Sequence, residues 1–209
     1  LSWVYKRKGE IQKGLDVDIK GLRIMEELND HEGIAAACEG ISDDLWRQGR
    51  LAEALDYAKR SIQVCEENGI QQQLPFSLFN AGAVYIAREE LKESLYYYNK
   101  ALEKAREFNM PPTVIVRFRV SHGNALKRLK QYTQALRDYE TALEMAKAAN
   151  YPQAISAATA NLGEVNLLTG NYKEALGYQL ETVRLQEKDN DLTNLTENYM
   201  HVSNIYEHL

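Results

Sequence analysis

Apolar residues return along this chain every three to four positions, the spacing of one helix face rather than the alternation of a strand. Leu136, Tyr139, Ala142, Leu143 and Ala146 step by 3, 3, 1 and 3 and fall on one stripe. Read this way, the pattern predicts helices over about 1–8, 11–28, 31–47, 51–67, 72–88, 91–108, 112–129, 132–149, 152–168, 172–188 and 192–209, with no place for strands.

A longer interval is superimposed on the first. Ser2, Ser42, Gly82, Gly123, Gly163 and Ser203 follow one another at steps of 40, 40, 41, 40 and 40. Gly14, Ala54, Ser94, Ala135 and Ala175 do so at 40, 40, 41 and 40. Two ladders with one period and one shared extra residue define a repeat. The extra residue falls between Asn109 and Thr113, where Met110-Pro111-Pro112 holds the only double proline. Proline suits the first turn of a helix, where its missing N–H costs nothing.

Each repeat reads as a helical hairpin. The inner turns align as RQGRLAEAL (Arg47–Leu55), AREELKESL (Ala87–Leu95), RLKQYTQAL (Arg128–Leu136) and LTGNYKEAL (Leu168–Leu176). Gly49 and Gly170 suit the left-handed conformation that ends a helix. Asn29, Asn68, Asn109, Asn150 and Asn190 recur where second helices should stop, asparagine tolerating that conformation better than most residues. The expected organisation is a single array over 1–209: a truncated repeat (1–30), full repeats (31–70, 71–110, 111–151, 152–191) and half a repeat (192–209). A start at Leu1 and two ends inside helical patterns read as a piece of a longer protein.

The small–aromatic–small pattern at this spacing resembles the tetratricopeptide repeat. It is carried by Leu162-Gly163, Tyr172 and Ala175, by Gly123, Tyr132, Ala135, Tyr139 and Ala142, and by Gly82, Tyr85, Leu91, Ser94, Tyr98 and Ala101. A weaker copy has Ser42, Leu45, Leu51, Ala54 and Ala58. The usual period is about 34 residues, so this chain departs by lengthening its helices. The family's tryptophan and closing proline are largely missing. The longer period looks like the variant of bacterial regulatory proteins, kinesin light chains and cell-polarity adaptors.

That resemblance implies an all-α fold, an α-α superhelix in which helical hairpins stack into a solenoid and the first helices line a concave face. It implies a scaffold for a protein or an extended peptide, as the sensory or regulatory module of a larger bacterial signalling protein. Such arrays are often joined to a histidine kinase, nucleotide cyclase or DNA-binding output domain. The alternative is a self-association module that assembles the linked domain through its end repeats.

Carried onto this chain, the concave face comprises Phe79, Asn80, Arg117, Asn124, Lys127, Arg128, Asn161 and Asn204. Arg117, Asn124 and Lys127 or Arg128 share one helix side, a cationic stripe able to hold an acidic group on the ligand. Solvation, or pairing with acids such as Asp138, is the competing reading. An asparagine amide is both donor and acceptor and can bracket a peptide backbone, or bond to a neighbouring helix instead. Trp46 and Phe79 are candidate apolar anchors or packing residues.

Composition narrows the classes. With 44% hydrophobic and 26% charged residues the chain can build a core, and a formal net charge of −5 argues against direct nucleic-acid binding. No apolar run approaches the ~18 residues of a membrane span. Cys38 and Cys65 lack metal or redox spacing and read as buried thiols, which favours a cytoplasmic location. His31, His122, His201 and His208 form no metal spacing; Glu197 and His201 lie one turn apart without a third ligand. No catalytic constellation, phosphate-cradling loop or cofactor motif is expected, and the fragment reads as a non-enzyme.

Overall fold

A computed structural model describes residues 4–5, 9–188 and 195–209. Among the described residues there are ten helices and no strand: α1 (Ile11–Glu27), α2 (His31–Arg47), α3 (Leu51–Asn68), α4 (Leu74–Ala87), α5 (Leu91–Glu107), α6 (Pro112–Arg128), α7 (Tyr132–Ala148), α8 (Pro152–Leu168), α9 (Tyr172–Lys188) and α10 (Leu195–Glu207). Most ends agree with expectation to within one residue. The exceptions are α10, expected to run to 209 and ending at Glu207, and α4, expected from 72 and found from Leu74. A start at 72 would put Pro75 beyond the positions that need no N–H, whereas from Leu74 the proline sits in the first turn. Ser2, Asn190, most of the helix expected over 1–8 and the expected helix start at 192 lie outside the described residues.

The chain divides into two compact units, Leu1–Met110 and Pro111–Leu209. In the first, α2/α3 and α4/α5 are hairpins and α1 packs on α2. In the second, α6/α7 and α8/α9 are hairpins and α10 packs on α9.

Every described hairpin turn uses one device. Arg50 N–H donates to Leu45 O (2.9 Å) and Gly49 N–H to Trp46 O (2.9 Å), a paired closure that satisfies the last carbonyls of α2. The same pair recurs at Glu90/Glu89, Gln131/Lys130 and Asn171/Gly170. The hinge residue is left-handed each time, at Gly49, Glu89, Lys130 and Gly170, and at the outer turns at Asn29, Gly69, Asn109 and Asn150. Asn68, expected as a stop signal, ends α3 in helical conformation instead; glycine at the next position takes the left-handed role (φ 65°) at no steric cost.

The small-residue ladders mark where helices touch. A Cβ added at Gly82 would lie 2.6 Å from the Tyr98 ring, one at Gly123 2.6 Å from the Tyr139 ring, and one at Gly163 2.9 Å from the Gln179 amide. In the repeat where serine replaces glycine, at Ser42, the position equivalent to Tyr98 is Ala58, and both are fully buried. The second ladder meets the first through hydroxyls: Ser42 Oγ donates to Ala54 O (2.7 Å) and Ser94 Oγ to Gly82 O (2.9 Å). Ile41, Leu45 and Val84 fill the core of the first unit, and Phe118, Tyr139, Leu162 and Val165 that of the second. Cys38 and Cys65 are free and buried, and burial pushes the Cys38 thiol up to about 11.

Two substitutions should move stability in opposite directions. Gly123→Ala drives a methyl into the Tyr139 ring and should cost about 1–3 kcal/mol. Lys130→Gly relieves a left-handed lysine and should add about 1 kcal/mol. Urea-unfolding midpoints read both; a midpoint lowered by the glycine or raised by the alanine would contradict the packing described.

Candidate functional site

In the first unit, Phe79 and Asn80 lie on α4. Phe79 is half-buried with its ring 5.3 Å from that of Tyr98. Asn80 reaches back to α2: its amide nitrogen donates to Glu39 O (3.2 Å) and its oxygen accepts from Ser42 Oγ (3.3 Å). The amide therefore ties two first helices together. Trp46 on α2 is partly exposed.

The second unit carries the other expected residues on α6, α8 and α10. Asn124 Oδ1 accepts from the Tyr139 hydroxyl (2.7 Å). Burial, reinforced by the carboxylates of Glu164 and Asp138, pushes that phenol well up, so it remains a donor. Lys127 leaves the cationic stripe: its ammonium donates to Asn161 Oδ1 (3.0 Å) and Glu164 Oε2 (2.5 Å), joining α6 to α8. Asn161 Nδ2 in turn donates to Ala157 O (2.9 Å) on its own helix. Arg117 and Arg128 are exposed, the Arg117 guanidinium 5.6 Å from the Phe118 ring centroid. Asn204 on α10 is exposed. The structure thus gathers Lys127 and Asn161 into one bridge and leaves Arg117, Arg128 and Asn204 apart from it.

Two features escaped the sequence reading. The first is a charged cluster between α6 and α7. Asp138 is buried and accepts from Arg119 (2.7 Å) and from His122 Nδ1 (2.5 Å), while Arg119 Nε and His122 Nε2 are buried without a partner. Its signal was present in the repeat columns. Arg119 stands where other repeats have Cys38, Leu78 and Thr159, His122 where they have Ile41, Ala81 and Leu162, and Asp138 where they have Tyr57, Tyr97 and Tyr178.

The second is a cavity of about 350 Å³ bounded by α8 and α10. Ala157, Ala160, Asn161 and Glu164 line it from α8, and Glu197 and His201 from α10. His201 Nδ1 lies 3.3 Å from the amide nitrogen of Gln179, and Nε2 lies 4.0 Å from Glu197. Asn198 Nδ2 donates to Gln186 Oε1 (2.8 Å) at its edge. Among the described residues no group of three His, Cys, Asp or Glu is placed to hold a metal ion, and no helix is long and apolar enough to cross a membrane.

Paired helices stacked repeat on repeat, with polar side chains on the first helix of each pair, define an all-α helical-repeat solenoid. The tetratricopeptide repeat model matches residues 39–107 and 117–188, and the chain belongs to that family. A comparison with curated protein sequences gives no significant match. Among solved structures, it is similar to a signal transduction ATPase with numerous domains from Pyrococcus horikoshii, described with a tetratricopeptide repeat sensor. There the TM-score is 0.81 at 19% identity over 98% of this chain and 32% of that one. The kinesin light chain TPR-like repeats of Podosopora anserina give 0.75 at 13% identity, over 90% and 92%. A Rap protein complexed with Competence and Sporulation Factor gives 0.71 at 21% identity, over 93% and 53%. The chain thus spans about a third of the first and about half of the third.

The Asp138 cluster makes a sharp demand on stability. Asp138→Ala leaves the Arg119 cation without its carboxylate and should cost about 3 kcal/mol. Replacing all three residues by those of the preceding repeat (Arg119→Leu, His122→Ala, Asp138→Tyr) should recover most of that loss in urea unfolding. A single variant as stable as the parent would deny the cluster any structural role.

Proposed function

We propose that this chain is a non-catalytic scaffold that binds an extended peptide or partner helix along the first helices of its repeats. In this reading it is the sensory or regulatory module of a larger bacterial signalling protein, working in the reducing cytoplasm. The observation that carries it is the polar lane of the second unit: Asn124, the Lys127–Asn161–Glu164 bridge and the cavity beyond it, all on α6, α8 and α10. Amides offer donors and acceptors suited to a peptide backbone. Arg117 and Arg128, exposed on α6, are the groups for an acidic residue of the ligand. Family membership supports a binding role, and the similarity to a repeat sensor and to a Rap protein held with a factor fits a regulatory one.

Selection from a displayed library of random dodecapeptides supplies the test. A selected peptide should bind the 209-residue protein by fluorescence anisotropy, and Asn124→Ala combined with Arg128→Ala should weaken it at least about tenfold, ~1.4 kcal/mol, with helicity unchanged. Failure to select any peptide, or undiminished binding by the variant, would count against the reading.

Self-association has its own support. Tyr199, Met200 and Tyr206, all on α10, are 48%, 66% and 59% exposed, large apolar surface on one terminal helix. Sedimentation velocity should then show dimer growing with concentration and abolished by Met200→Glu with Tyr206→Glu. A monomer at every concentration rules this reading out.

A further inference from the structure

We infer that the cavity bounded by α8 and α10 is a pocket for a cationic side chain, the ammonium of a lysine or the guanidinium of an arginine on the bound peptide. The inference rests on the peptide-binding reading above and specifies the chemistry of one of its subsites.

One wall already holds such a group. Glu164 Oε2 and Asn161 Oδ1 converge on the Lys127 ammonium at 2.5 and 3.0 Å, so this pair of oxygens is arranged as an ammonium receptor with an internal guest. The facing wall adds the Glu197 carboxylate, whose side chain is 66% exposed and open to a second cation. One lysine is thus set against two glutamates at the pocket.

The hydrogen-bond inventory points the same way. Asn198 spends its amide nitrogen on Gln186 Oε1 (2.8 Å). Gln179 is fully buried behind His201, with its nitrogen 3.3 Å from the imidazole and its oxygen buried without a partner. The carboxylates of Glu164 and Glu197 can only accept, and ammonium and guanidinium bring the N–H groups that carboxylates bind. A carboxylate or phosphate would instead face Glu164 and Glu197. Ala157 and Ala160 provide a short apolar surface for the methylene stem of a long cationic side chain. A volume of about 350 Å³ suits one side chain.

Nuclear magnetic resonance titration of the 209-residue protein tests this with N-acetyl-argininamide, N-acetyl-lysinamide and N-acetyl-glutamic acid amide as probes. The two cationic probes should shift the amide resonances of residues 156–164 and 197–201 and saturate in the millimolar range, whereas the glutamic acid probe should leave them in place. Glu197→Gln should weaken the arginine probe at least fivefold. Lys127→Met, which removes the internal guest and leaves Glu164 to the probe, should tighten it by a similar factor; a purely structural Lys127–Glu164 pair would give no tightening. Equal shifts with the glutamic acid probe, shifts confined to other helices, or an arginine titration unmoved by Glu197→Gln would overturn the inference. Those results would leave the library selection untouched. Conversely, a failed selection alongside a cation-responsive pocket would sink only the peptide reading.

Discussion

The seating of one second-helix side chain on the bare backbone of its first helix governs this structure. Two helices of a hairpin approach only as closely as the bulkiest residue between them allows. At Gly82, Gly123 and Gly163 nothing projects from the first helix, and Tyr98, Tyr139 and Gln179 fill the space. The ladder of small residues is the imprint of that contact, and so is the fixed interval between hairpins. Its influence does not stop at packing. Tyr139 runs past Gly123 and delivers its hydroxyl to Asn124, and Gln179 runs past Gly163 and meets His201. The same side chains therefore pack the core and fix the polar groups of Asn124 and His201.

This coupling changes what the groove amides do. Asn80, Asn124 and Asn161 are engaged with a neighbouring helix or with their own backbone. A ligand that takes such an amide exchanges one hydrogen bond for another, and the net gain from each is small, on the order of 1 kcal/mol or less. Held in place beforehand, the amides lose little side-chain freedom on binding. In the proposed reading, discrimination between ligands would be carried by charge, through Arg117 and Arg128 on α6 and the carboxylates at α8 and α10.

Among the described residues, helix order, most helix ends and the hairpin turns were legible in the sequence because they follow from local periodicity and from a repeat sampled several times. The misplacements were local too. Asn68 was read as a stop although glycine, the better left-handed residue, followed it, and the start of α4 needed Pro75 to be counted into the first turn. Site chemistry was less legible. The sequence placed Lys127 and Asn161 on the expected lane, but that they bond to each other depends on how far apart two helices sit. Asp138 was singled out as a partner for the stripe, and its actual partners, Arg119 and His122, face away from that lane. They became visible only when equivalent positions were compared and found to be uncharged elsewhere.

That cluster bears on a difficulty built into any array of near-identical hairpins, which is knowing which helix belongs with which. Because Gly123 and Gly163 present equivalent seats, α6 could in principle accept α9 in place of α7 while the chain folds. Doing so would set Arg119 and His122 against Tyr178, where no carboxylate waits, and bury a cation unpaired. Asp138 would then serve as an address label, written once in a repetitive text, that favours the correct neighbour of α6 by balancing its charge.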